Sequence, residues 1–153
     1  MRFPKAFSLS ALLACTLTLM SSPAHAVLGG NADSVQDDAA QLKATRKTAT
    51  RANLPVHELT LESGTVVREY LTPAGQVFAL SWQGPAMPNL QQLLGSSFER
   101  FTAAARQPHG GHRLLQVRDS DLVIESRGRP RNFSGKAYLP SLMPANVTAD
   151  QIQ

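Results

Sequence analysis

TVVREYLTPAGQVFALSWQGP, Thr65 to Pro85 of a 153-residue chain, reads as two strands folded back on each other. Its β-branched and aromatic residues favour extended backbone. Thr72-Pro73-Ala74-Gly75 supplies the turn, because proline presets its own φ and glycine accepts a positive one. Gly84-Pro85 closes the second strand. Val66, Tyr70, Val77, Phe78, Leu80 and Trp82 make this the richest apolar segment after the N-terminus.

Upstream, HELTLE (His57–Glu62) alternates polar and apolar residues, with Leu59 and Leu61 on one side. Ser63-Gly64 is a short turn into the central pair, so three strands form an antiparallel meander. Downstream, Asn89 stands where an N-cap belongs, and Leu90, Leu93, Leu94, Phe98 and Phe101 recur at helical spacing. Gly95 interrupts that helix. Three more strand-like segments follow, around Arg113–Arg118, Leu122–Ser126 and Asn132–Pro140. Asp119-Ser120 and a basic loop, Arg127–Arg131, connect them.

The expected fold is α+β: a single small domain over residues 57–140, an antiparallel sheet of about five or six strands packed against one amphipathic helix. Leu59, Leu61, Val66, Tyr70, Val77, Phe78, Leu80, Trp82, Leu93, Leu94, Phe98, Phe101, Leu115, Val117, Leu122, Ile124, Phe133 and Tyr138 are the expected core. Residues 141–153, with Pro144 and Asn146, are expected to form an irregular tail.

Residues 27–56 form an N-terminal segment in which the pattern from Ser34 to Arg51 permits a helix. Ser34 and Asp37 make a pair like a capping box. Acids at the start and Lys43, Arg46, Lys47 and Arg51 near the end match the helix dipole. The apolar face (Val35, Ala39, Leu42, Ala49) is thin, which makes the helix marginal. Asn53-Leu54-Pro55 ends it.

The first 26 residues read as a secretory signal. Arg2 and Lys5 precede an apolar run from Ala6 to Met20, and Ala24-His25-Ala26 presents small residues at the cleavage positions. The run is too short for a comfortable membrane span, so no transmembrane segment is expected after signal removal. Leu12-Leu13-Ala14-Cys15 matches a bacterial lipoprotein signal in part, and a lipid anchor at Cys15 is the minor alternative. Cleavage after Ala26 leaves no cysteine, which excludes disulfides, thiolate chemistry and cysteine-ligated metals. It also leaves 13 basic against 11 acidic residues, a formal charge of +2. Nucleic acid is therefore a poor partner, and no aromatic platform interleaves the arginines.

Catalytic signatures are missing: no G-x-S-x-G, phosphate-binding loop, dinucleotide fingerprint or H-E-x-x-H occurs. No cofactor is expected. His109-Gly-Gly-His112 could share a metal ion with Asp119 or Asp121, but its glycines are costly to order and an exposed turn is the simpler reading. Arg127, Arg129, Arg131 and Lys136 are the candidate binding residues, since guanidinium groups suit bidentate capture of carboxylate or phosphate.

Leu28-Gly29-Gly30, VREYLTPAGQVFALSWQGP, PNLQQLLGSSF, DLVIES and NFSGKAYLP together resemble a family of exported proteobacterial proteins catalogued only as a domain of unknown function. The resemblance covers nearly all of residues 27–153, and the tryptophan block with its leucine helix is its most specific part. It implies a small secreted or periplasmic domain and brings no activity, cofactor or site. The functional expectation is a non-catalytic binding or accessory protein of the cell envelope, with an envelope protein or an anionic ligand as partner. A structural or assembly factor, and an enzyme of unrecognised type, are the alternatives.

Overall fold

The central pair forms as read. Strands β3 (Val66–Leu71) and β4 (Val77–Gly84) are antiparallel, with Val67 opposite Trp82 and Glu69 opposite Leu80. In the turn between them, the Gly75 N–H donates to the Thr72 carbonyl at 2.9 Å and the Thr72 N–H to the Gln76 carbonyl at 2.8 Å. A register shift between Tyr70 and Leu71 lets Leu71 face Val77. The structure, a computed structural model, describes residues 28–153 other than 33, 52 and 108–113, without the side chains of Ser34 and Asp37. The expected signal segment with Cys15, the expected Ser34–Asp37 cap and the His109–His112 pair lie outside the described residues.

Among the described residues, seven antiparallel strands form one sheet in the order β1-β2-β3-β4-β7-β6-β5. β2 (Leu54–Thr60) precedes the central pair; β5 (Leu114–Arg118), β6 (Val123–Arg129) and β7 (Asn132–Tyr138) follow it. The count exceeds the expected five or six because Thr45–Arg51 is a strand, β1, and not the second half of a helix. The helix is only α1 (Ser34–Gln41). Lys43 takes φ 49, the Ala44 N–H returns to the Ala39 carbonyl at 2.8 Å, and the Lys43 N–H reaches the Ala40 carbonyl at 3.2 Å. That is a Schellman stop, made here without glycine. Beyond it Thr45, Thr48 and Thr50 favour the pleat over the helix. The basic residues that suited a helix end are strand residues instead. Asn53 at φ 64 then turns the chain into β2.

The predicted leucine helix is two helices. Asn89 caps α2 (Leu90–Leu94), its side chain accepting from the Gln92 N–H at 3.2 Å. Gly95 at φ 51 ends it, a 3-10 turn spans Gly95–Ser97, and α3 (Phe98–Arg106) continues. Both cover one face of the sheet together with α1. Val35, Leu59, Val67, Leu80, Trp82, Leu93, Leu94 and Ile124 are buried there, while Phe98 and Phe101 are only partly so. Trp82 lies over Gly135: a methyl group at that position would collide with the indole and the Glu125 carbonyl. On the far side of the sheet from β1, the Arg100 guanidinium of α3 holds Asp119 and Asp121 of the β5–β6 turn, with both Asp121 contacts at 2.8 Å.

The expected core is buried where it faces the helices or the sheet centre. Leu61, Val66, Leu115, Phe133 and Tyr138 are half-buried instead. Val67, one residue on from Val66, is the fully buried member of that pair, because it points to the helix side.

The opposite face is covered by residues 139–153. This segment is irregular apart from 3-10 turns at Pro140–Leu142 and Ala149–Gln151, yet it is a strap rather than a loose tail. Val147 and Ile152 are buried with Leu54, Val56, Tyr70, Phe78 and Ala79. Thr148 and Gln151 cap each other reciprocally. The Tyr70 hydroxyl donates to the Gln153 backbone oxygen at 2.7 Å and accepts from the Gln153 N–H at 3.0 Å.

Candidate functional site

A groove of about 500 Å³ lies beside the strap. Its floor comes from the outward residues of three adjacent strands. The register sets Gln83 beside Ser134 and Ser134 beside Arg127; one step along, Ser81 faces Lys136 and Lys136 faces Glu125. Alternation on the pleat puts these side chains on the strap side, opposite the Leu80–Ala137–Ile124 row that meets the helices. Asp150, Ile152 and Gln153 of the strap form the other wall.

The groove's charged groups are in different situations. The Lys136 ammonium donates to the Ala149 carbonyl at 2.7 Å and so ties the strap to β7. The Glu125 carboxylate accepts from Arg118 at 2.8 Å and from Gln116 at 3.2 Å. Arg127 is exposed and makes no ion pair among the described residues. Arg51 and Arg68, by contrast, share the Glu58 carboxylate at 2.6 and 2.9 Å, and Arg68 then Arg51 hold its pKa below the ordinary value.

Of the four candidate binding residues, Arg127 and Lys136 meet at this groove, and Arg129 and Arg131 do not line it. The expected basic loop is mostly strand, because β6 runs to Arg129 and pairs with Asn132 of β7. Only Pro130 and Arg131 are left to turn the hairpin, and Arg131 adopts φ 63. The long twisted pairing of β6 with β7 thus spreads the basic cluster along a hairpin instead of gathering it at a loop. Asp150 and the strap were not visible as site residues in the sequence; the Thr148–Gln151 spacing marks a turn but does not say where it docks.

A second polar cluster lies beneath the helices. Glu69 on β3 is fully buried, and neither carboxylate oxygen has a hydrogen-bond partner among the described residues. His57 of β2 is directly opposite it in the pairing. Asp38 of α1, also fully buried, accepts from the Gln92 side chain at 2.9 Å. Burial, and then the nearby Asp38 charge, raise the Glu69 pKa from 4.5 to about 8, with Arg46 opposing. Burial and then Arg46 lower the pKa of His57. An acid held neutral can in general donate a proton in catalysis. Here both acids are fully buried.

Among the described residues, no group of three or more histidines, cysteines or acids is placed to hold a metal ion, and no helix is long and apolar enough to cross a membrane. The chain matches a family model over residues 24–152 and belongs to that family, described as "Protein of unknown function (DUF2844)". No curated protein and no solved structure matches it.

Proposed function

We propose that this chain is exported through its N-terminal signal and serves in the cell envelope as a non-catalytic binding or accessory protein. Its ligand contact is the strap-side groove, which takes an anionic ligand on Arg127. The observation that carries the reading is the Arg127 guanidinium, which makes no ion pair among the described residues, in a groove whose Lys136 and Glu125 are held by other groups of the protein. An unpaired guanidinium presents a fork of donors that fits carboxylate or phosphate in a bidentate manner. Lys136 supplies positive potential from the floor while it anchors the strap.

Two measurements test this. The intact mass of the protein recovered from the envelope fraction of a bacterial host is expected to correspond to a chain beginning at Val27. A retained leader, or an acylated chain beginning at Cys15, overturns the export route. Separately, titration with citrate and with inorganic phosphate, followed by amide chemical shifts, is expected to move the resonances of Arg127, Ser134 and Lys136. Arg127→Ala is expected to weaken that binding by about tenfold, the loss of one charge-assisted pair. Shifts scattered over all basic residues, and unchanged by Arg127→Ala, would remove the groove from consideration.

A further inference from the structure

The sheet's two edges are treated differently. β5 is short, α3 packs against it, and the Arg100 clamp fixes the turn that follows it. β1 is a full seven residues long and, among the described residues, pairs only with β2. All its residues are exposed except Ala49, which is half-buried, so neither of its faces is covered. Among the described residues its outer edge has no strand partner, so it offers backbone donors and acceptors for pairing.

The side chains on that edge are of one sign. Arg46, Lys47 and Arg51 are exposed, and Lys43 precedes them at the helix stop. Arg51 is neutralised by Glu58. Arg46 and Lys47 make no ion pair among the described residues. Because they are consecutive, they point to opposite faces of the sheet. Charge on an edge strand discourages pairing with a second copy of the same strand. When all of it is positive, the same feature favours a strand of opposite charge.

We propose that the outer edge of β1 accepts an extended acidic peptide segment by strand addition. The partner's backbone completes the ladder, and two consecutive acidic residues lie opposite Arg46 and Lys47, one on each face. This surface lies on the opposite side of the sheet order from β6, so it does not depend on the groove.

The test uses the whole chain and a fluorescein-labelled peptide of alternating threonine and valine with two consecutive central glutamates, read by fluorescence anisotropy. A second probe has the same sequence with alternate backbone nitrogens methylated, on whichever edge faces β1, which keeps the charge and removes the donors. The expected result is saturable binding of the first probe and at least about tenfold weaker binding of the second. The double variant Arg46→Glu, Lys47→Glu is expected to weaken the first probe by about tenfold or more. Equal affinity for both probes would show attraction by charge alone and overturn the proposal. So would the absence of saturable binding to the unmethylated peptide. Loss of peptide binding in Arg127→Ala, with the β1 variant unaffected, would place the acid in the groove and also overturn it.

Discussion

On one face of the sheet α1, α2 and α3 close over Val67, Leu80, Trp82 and Ile124; on the other an irregular strap presses Val147 and Ile152 against Tyr70 and Phe78. The helix side is sealed and contains a buried acid, Glu69, with no hydrogen-bond partner among the described residues. The strap side is narrower, tied by hydrogen bonds to Tyr70 and Lys136, and leaves a polar groove along its margin. The difference is one of covering area. Helices with leucines at helical spacing present a broad apolar stripe, whereas a strap covers only the width of one chain. Whatever outward side chains lie beyond that width stay exposed, and these are the ones available to a ligand.

The contrast can be broken in graded steps. Trp82→Ala is expected to have the largest effect, about 3–5 kcal/mol of lost stability, because the indole fills the space over Gly135 on the sealed side. Urea unfolding reads it directly; an unchanged midpoint would mean that the helix side does not carry the fold.

Glu69 gives the sealed side a pH dependence. With its pKa raised from 4.5 to about 8, the folded chain keeps a proton that the unfolded chain releases in that interval. The stability linked to that proton is full below 4.5 and is lost as pH rises through about 8. Glu69→Gln cannot ionise, so this loss is absent from the variant, whose stability should exceed that of the parent at about pH 9 by on the order of 5 kcal/mol. Parallel pH–stability curves for the two proteins would show that Glu69 is solvated.

On the strap side, Ile152→Ala is expected to cost about 2 kcal/mol, the low end for such truncations because a strap can settle into the space. Faster hydrogen exchange should be confined to residues 139–153 and the strands beneath them. Tyr70→Phe removes both hydrogen bonds to Gln153 and is expected to cost about 1 kcal/mol. If Ile152→Ala destabilised the helix side as much as Trp82→Ala, the two faces would be one cooperative unit and the contrast would lose its meaning.

Much of this fold is legible residue by residue. The meander, the Thr72–Gly75 turn, the Asn89 cap and the interruption at Gly95 are all local chemistry, and all occur where the sequence places them. The Arg127–Arg131 loop, mostly strand, is one exception, and β1 is the larger one. Acidic and basic residues ordered as a helix prefers sit on both sides of a left-handed Lys43, and nothing in a lysine announces that conformation as a glycine would. The site was legible only in part. Arg127 and Lys136 are recognisable as candidates, but that they meet, while Arg129 and Arg131 do not join them, follows from the β6–β7 register.

By itself the sequence determined the central meander, its turns and the helix start at Asn89, because those depend on residues within a few positions of one another. Tertiary structure alone decided that residues 139–153 cover the second face and that a groove opens beside them. A segment with no periodicity carries no address of its own; Ile152 finds its place only because Tyr70, Phe78 and Val56 are already assembled on three neighbouring strands.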